Sequence, residues 1–271
     1  LGRGLHGLRA LPRREPRVSL LESILTRTRA DLAARRGPLS ALPRPPGPPR
    51  DLAAVLRCAP DLALIAEFKP RSPSKGAIRP DASPEEVAAL YGRHAHAMSV
   101  LCDAPFFGGS YATLARVRAV SDLPLLAKDF VVDAYQLHEA RAHGADAVLL
   151  MASVLPAAAL TTLLATTRAL GMEALVEVHD AAELGVALDV GARIVGVNSR
   201  DLKTMRIDLA GAARLLARVP ADRLRVAESG LTDAAAVAWV RPVADACLVG
   251  SAIMGAADPA AMMEALGWPS R

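Results

Sequence analysis

Two periodicities divide the chain. From Ser19 onward, Leu20, Leu21, Ile24, Leu25 and Leu32 recur at the three- and four-residue spacing that places apolar side chains on one helical face. Ser19 occupies an N-cap position, and Glu22 follows three residues later as in a capping box, so residues 19–36 predict one amphipathic helix. Residues 37–50 are rich in proline, which removes N–H donors and fixes φ. That stretch reads as an extended connector to a short helix over residues 51–57. After Pro60 the pattern changes to short apolar runs alternating with longer helical segments. The runs lie at residues 62–68, 97–101, 125–127, 147–151, 174–178, 194–197, 225–227 and 246–249. They are nearly continuous rather than alternating, as parallel strands buried on both faces require. Helix starts are marked by Ser83-Pro84-Glu85-Glu86, Asp133, Pro156, Asp180 and Asp233. Eight strands, each followed by a helix, predict the α/β class and a single (β/α)8 TIM barrel with an N-terminal helical extension. The expected organisation is a disordered lead over 1–18, the helical extension and proline-rich connector over 19–60, and the barrel over 61–271.

Composition narrows the function classes. The chain has 271 residues, 52% of them hydrophobic and only 3% aromatic, enough for a large aliphatic core. Its formal charge of +4 raises nucleic acid as a partner, but the arginine excess precedes Asp51 and few aromatics are present to stack on bases, so nucleic-acid binding is not expected. No apolar run is long enough to span a bilayer, and no membrane partner is expected. Cys58, Cys102 and Cys247 show no paired or metal-ligand spacing, which points away from disulfides and metal and toward a cytoplasmic setting. The expected assembly is a monomer or weak homo-oligomer.

The chemistry sits where the apolar runs end. In a (β/α)8 barrel those ends project into the mouth. The first run closes on Glu67-Phe68-Lys69, the third runs into Lys128-Asp129, the fifth contains Glu177, the sixth is followed by Asn198, and the seventh by Glu228-Ser229-Gly230. Convergence of Glu67, Lys69, Lys128, Glu177, Asn198 and Glu228 on one space is too costly for structural ion pairing alone. Ser229-Gly230 and Gly250-Ser251 follow the last two strands, where barrels commonly cradle phosphate. The loop from Pro70 through Ser72 to Gly76 is basic and hydroxyl-rich, suited to an anion or a lid. Phe106 and Phe107 place scarce aromatics at the mouth, suited to the wall of a small-molecule pocket.

Several strings together resemble the indole-3-glycerol phosphate synthase family: Ile65 to Lys69 with Ser72-Pro73-Ser74-Lys75-Gly76, Lys128-Asp129-Phe130, Leu175 to His179, Gly196 to Leu202, and Ala227 to Gly230. The resemblance runs in unbroken order over about residues 19–266. It implies conversion of 1-(2-carboxyphenylamino)-1-deoxyribulose 5-phosphate into indole-3-glycerol phosphate, carbon dioxide and water, a step of tryptophan biosynthesis needing no metal or organic cofactor. By the same resemblance, Lys128 is the general acid for ring closure. Lys69 holds the departing carboxylate and donates a proton during dehydration, and Glu177 is a base or proton relay. Glu67 and Asn198 orient the anilino group and the intermediate, while Glu228 holds ribulose hydroxyls. Ser72, Arg200, Ser229, Gly230, Gly250 and Ser251 match phosphate-handling positions, and Phe107 an aromatic against the anthranilate ring. Pro70 stands where the family commonly carries Lys or Arg, and Cys102-Asp103-Ala104-Pro105 departs from a more polar segment. The competing readings are phosphoribosylanthranilate isomerase, which would use a Cys and Asp pair for acid and base work, another phosphosugar barrel, and a non-catalytic barrel.

Overall fold

The structure, a computed structural model, describes residues 19–201 and 204–271. The expected disordered lead over 1–18 and the matched residue Leu202 lie outside them. Eight parallel strands close a barrel: β1 (Ala63–Phe68), β2 (Ala97–Leu101), β3 (Leu125–Lys128), β4 (Ala147–Met151), β5 (Glu173–Val178), β6 (Ile194–Asn198), β7 (Leu224–Glu228) and β8 (Ala246–Val249). Each pairs with its sequence neighbour, and β1 pairs with β8 through Ala63 to Ala246, removing both sheet edges.

Helices precede and separate the strands: α1 (Leu20–Arg35), α2 (Leu52–Arg57), α3 (Pro84–Tyr91), α4 (Ala104–Phe107), α5 (Tyr111–Val120), α6 (Ala134–Ala142), α7 (Ala157–Ala169), α8 (Ala181–Asp189), α9 (Leu209–Leu216), α10 (Ala234–Val240), α11 (Ser251–Gly255) and α12 (Pro259–Ala265). Their starts follow the expected chemistry. Ser19 and Glu22 form a complete capping box on α1, and the side chains of Ser83, Asp133, Asp180 and Asp233 each accept a backbone N–H at a helix start. Pro156 is an exception: it occupies the N-cap of α7 and contributes no side-chain bond there.

Strand boundaries extend beyond the apolar runs. Lys128, Asn198 and Glu228 belong to β3, β6 and β7, because ladder hydrogen bonds use backbone groups and continue past the last apolar side chain. The proline-rich connector contains a single turn of 3-10 helix, Leu39–Ala41, and the loop after β1 folds into a small hairpin pairing Arg71 with Ala77 and Ser72 with Gly76.

The core has two compartments. Leu64, Ala66, Leu125, Ala127, Val176 and Ala227 face outward into the layer between barrel and helices. Ala63, Ile65, Leu126, Leu175, Val226 and Leu248 face inward and fill the barrel with Leu52 and Leu56 of α2, which are buried among them. Leu21 and Ile24 of α1 join the same inner cluster from the other end. Arg35 and Arg36 bind Glu139 and Asp133, each at 3.0 Å, and tie the end of α1 to α6.

Candidate active site

Period-two alternation explains how the charges meet. In β1, Ile65 points inward, Phe68 and Ala66 outward, and the next inward position is Glu67. The same step of two leads from Leu126 to Lys128 in β3, from Leu175 to Glu177 in β5 and from Val226 to Glu228 in β7. These are the four odd-numbered strands. A barrel interior is built in layers of four side chains from alternate strands. Here Ile65, Leu126, Leu175 and Val226 occupy one step, and Glu67, Lys128, Glu177 and Glu228 the next.

Lys128 is the centre of the charged layer. Its Nζ lies 2.6 Å from Glu228 Oε2, 3.8 Å from Glu177 Oε2 and 3.9 Å from Glu67 Oε2. Lys69, just beyond β1, approaches the other oxygen of Glu67 at 2.7 Å, and Ser99 of β2 donates to Glu67 Oε2 at 3.3 Å. Burial disfavours the Lys128 charge, but the three carboxylates more than offset it and raise its pKa above the ordinary lysine value. Burial likewise opposes ionisation of Glu67, yet Lys69 and Lys128 hold its pKa below the usual range. Glu228 goes the other way: burial raises it to about 7 despite Lys128, with Glu177 adding like-charge repulsion. Three carboxylates against two ammonium groups thus form a cluster that retains an exchangeable proton near neutrality.

Even-numbered strands make room for this layer. A Cβ on Gly196 of β6 would lie 2.1 Å from Glu228 Oε1, and one on Gly250, just after β8, would lie 2.5 Å from Glu67 Oε1. Both carboxylates depend on a neighbour without a side chain.

The cavity above the layer gathers the residues to which the resemblance gives a site role, but Phe106, expected in its wall beside Phe107, does not line it. Glu67, Lys69, Lys128, Glu177, Asn198 and Glu228 line it, as do Ser72, Arg200, Ser229, Gly230, Gly250, Ser251 and Phe107. On the side of β6, β7 and β8, Ser229 and Gly230 both adopt left-handed conformations, with φ of 63° and 72°. The conformation suits Gly230, where a Cβ would also press to 2.9 Å from Ile207 and 3.0 Å from Ser199 Oγ. Asn198 Oδ1 accepts the Arg200 backbone N–H at 3.0 Å, turning the chain out of β6. Ser72 Oγ accepts from the Lys75 N–H at 3.2 Å inside the hairpin loop. On the opposite side, Phe107 packs against Phe130 with centroids 6.0 Å apart. The departing segment Cys102-Asp103-Ala104-Pro105 has a defined local structure: Asp103 caps α4 by accepting the N–H groups of Phe106 and Phe107. That cap fixes where Phe107 begins its approach to the cavity.

Sequence reasoning missed three contributors. Leu20 and Ile24 of α1 form part of the cavity wall, so the preface helix belongs to the site. Ser99 interrupts an apolar run at an inward position, a signal that was available. Gly196 sits inside a strand, where glycine marks a close approach. Conversely, Asp129 beside Lys128 serves packing: it accepts from Tyr111 Oη at 2.7 Å and from Gln136 Nε2 at 3.2 Å. Cys58 and Cys102 do not line the cavity, which leaves the isomerase reading without its thiol.

A family model described as indole-3-glycerol phosphate synthase matches residues 21–266. The chain belongs to the indole-3-glycerol phosphate synthase family. It is 53% identical over 221 residues to indole-3-glycerol phosphate synthase 2 of Streptomyces coelicolor, covering 81% of this chain and 85% of that protein. It is 44% identical over 264 residues to the indole-3-glycerol phosphate synthase of a Roseiflexus species, covering 92% and 98%. Membership makes the protein a carboxy-lyase of tryptophan biosynthesis. Solved structures share the fold at low identity. 3-Hexulose-6-phosphate synthase from Salmonella typhimurium superimposes with a TM-score of 0.59 at 16% identity, covering 76% of this chain and 96% of that one. Thiamine phosphate pyrophosphorylase from Pyrococcus furiosus gives 0.57 at 21%, covering 76% and 93%.

Proposed function

We propose that this chain carries out the family reaction with Lys128 as the acid for ring closure, Lys69 as the ligand of the departing carboxylate and Glu177 as the proton-transfer group. The observation that carries the reading is the charged layer itself, with one ammonium held by three carboxylates directly beneath an open cavity.

The aromatic carbon attacks the ketone, and the oxygen becomes an alkoxide unless it is protonated. Lys128 is charged at any working pH, so it arrives with its proton. Its raised pKa would weaken it against a neutral acceptor, but a developing alkoxide is more basic than an amine and the transfer runs downhill. Lys69 sits at the rim of the layer, where its second charge can hold the substrate carboxylate until the cyclised, iminium-like ring accepts the electron pair of the breaking C–C bond. Dehydration then needs a base for one carbon-bound proton and an acid for the hydroxyl, roles assigned to Glu177 and Lys69. Glu67 and Asn198 orient the anilino group and intermediate, and Glu228 accepts from ribulose hydroxyls once its contact with Lys128 loosens. Placement and fixed charge supply the catalysis.

The substrate lies across the cavity in this reading. Its ring rests on Phe107 and the apolar wall. Its phosphate is bound by Ser72, Arg200, Ser229, Gly230, Gly250 and Ser251, with Arg200 able to offer a two-pronged donor. Residues 1–18 are a lead, 19–60 an extension and 61–271 the catalytic barrel. The enzyme works in the cytoplasm, in keeping with its three free thiols. Incubation with 1-(2-carboxyphenylamino)-1-deoxyribulose 5-phosphate should produce indole fluorescence. A Lys128→Met variant retaining the full rate would overturn the acid assignment.

A further inference from the structure

The family reaction draws one proton from solution per turnover. The carboxylate leaves as neutral CO2, and the ketone oxygen collects two protons on its way to water. Only one proton is recovered, from the adjoining methylene carbon at dehydration. A charged layer buried beneath the substrate therefore needs a path by which protons re-enter.

His179 lies immediately after β5, two residues beyond Glu177. Its Nε2 is 3.6 Å from Glu177 Oε1, and its Nδ1 is 3.2 Å from Glu183 Oε2. The same Glu183 oxygen accepts the His179 backbone N–H at 2.8 Å, so it fixes both the backbone and the ring. His179 Nε2 and Glu177 Oε1 are buried, and neither has a hydrogen-bond partner. The gap between them exceeds a hydrogen bond by a few tenths of an ångström, and a small ring rotation closes it.

The imidazole also lines a second cavity outside the barrel, shared with Asp180, Asp201, Arg206, Asp208, Arg214 and Arg218. On the barrel side it faces Glu177 and, further in, Glu228; on the α8 side it faces Glu183. Burial opposes its charge, but Glu183 and Glu177 more than offset this and raise its pKa above 6.5. An imidazole titrating above that value is charged during much of the neutral range and can give and regain a proton there.

We infer that His179, oriented by Glu183, is the relay through which Glu177 and the buried layer regain from solvent the proton that each turnover consumes. The N–H bond at Nε2 breaks as the O–H bond at Glu177 Oε1 forms. The neutral ring keeps its Nδ1 proton, and because Nε2 is buried against Glu177 it is recharged when the ring turns that nitrogen toward water in the outer cavity. His179 touches no reacting atom and acts through Glu177. The inference rests on the reading of Glu177 as the proton-transfer group.

Four measurements test it. Steady-state kinetics of His179→Asn and of the more exposed Glu183→Gln should show kcat reduced about ten-fold or more for the first and less for the second, with KM unchanged. Wild-type kcat should fall as pH rises through the His179 pKa, and this alkaline limb should vanish in His179→Asn. Added imidazole should restore rate to His179→Ala. Wild-type kcat and pH profile in His179→Asn, or a loss that imidazole leaves untouched, would overturn the relay. Independently of turnover, the His179 ring titration followed by NMR should shift to lower pH in Glu177→Gln, because an opposing charge is removed. An unchanged titration overturns the coupling even if the activity assignment fails, and a shifted one with no turnover in the wild type isolates the fault in the functional reading.

Discussion

Replacing Lys128 with Met keeps the side chain's length and removes its charge, leaving Glu67, Glu177 and Glu228 buried around an apolar tip. At an effective dielectric of about 20, the lost attraction is about 6 kcal/mol toward Glu228 and about 4 kcal/mol toward each of the other two, before any response of the protein. The layer will not hold three bare charges. It will bind protons instead, with Glu67 keeping its charge longest because Lys69 remains at 2.7 Å. Glu228 will therefore have a folded-state pKa still further above that of the unfolded chain, where a glutamate titrates at about 4.3. A carboxyl with a raised folded pKa contributes most below its unfolded pKa, and that contribution is lost as pH rises through the folded value. Glu228 starts at about 7 in the parent protein and moves higher. The variant should thus be close to the parent at pH 5 and about 3–5 kcal/mol less stable at pH 8, the usual cost of orphaning a buried charge. For a chain of this size that is roughly 10 °C in melting temperature. Thermal melts of both proteins from pH 5 to pH 8 check this. A difference that stays constant across the range would refute the reasoning, because it would mean that the carboxylates do not answer to Lys128.

Gly196→Ala introduces a Cβ at 2.1 Å from Glu228 Oε1, so Glu228 must swing off Lys128; activity should drop by about two orders of magnitude while stability falls by about 1–3 kcal/mol, read from kcat and urea melts. Gly230→Ala combines a left-handed backbone with a tight approach to Ile207 and Ser199, and should raise KM roughly ten-fold with little change in kcat if the loop holds the substrate phosphate; the reverse pattern would move Gly230 into the chemical step.

Much of the fold was legible because a parallel barrel strand is apolar on both faces and ends where its side chains turn polar. The charged layer was legible for a related reason. Glu67, Lys128, Glu177 and Glu228 each stand two residues beyond an inward aliphatic position, so alternation alone aims them at one space. The strand ends were misjudged by a residue at Lys128, Asn198 and Glu228, since side-chain polarity does not report where backbone pairing stops. What stayed hidden depends on contacts between distant segments. Nothing in the immediate neighbourhood of Gly250 announces that it stands beside Glu67, and the amphipathic face of α1 does not say which end of the barrel it will cover.

The position of α1 gives the fold and the catalyst different minimum lengths. All eight strands, the closed edge between β1 and β8 and the plug formed by Leu52 and Leu56 lie after residue 50. Leu20 and Ile24, by contrast, are wall residues of the cavity contributed by a helix that the barrel does not require for closure. A shortened chain beginning at Arg50 would keep all eight strands and every charged group of the layer, yet without Leu20 and Ile24 its reaction chamber would be open to bulk water on one side. Loss of turnover in such a chain would therefore report the loss of enclosure, with the chemical groups themselves still in place.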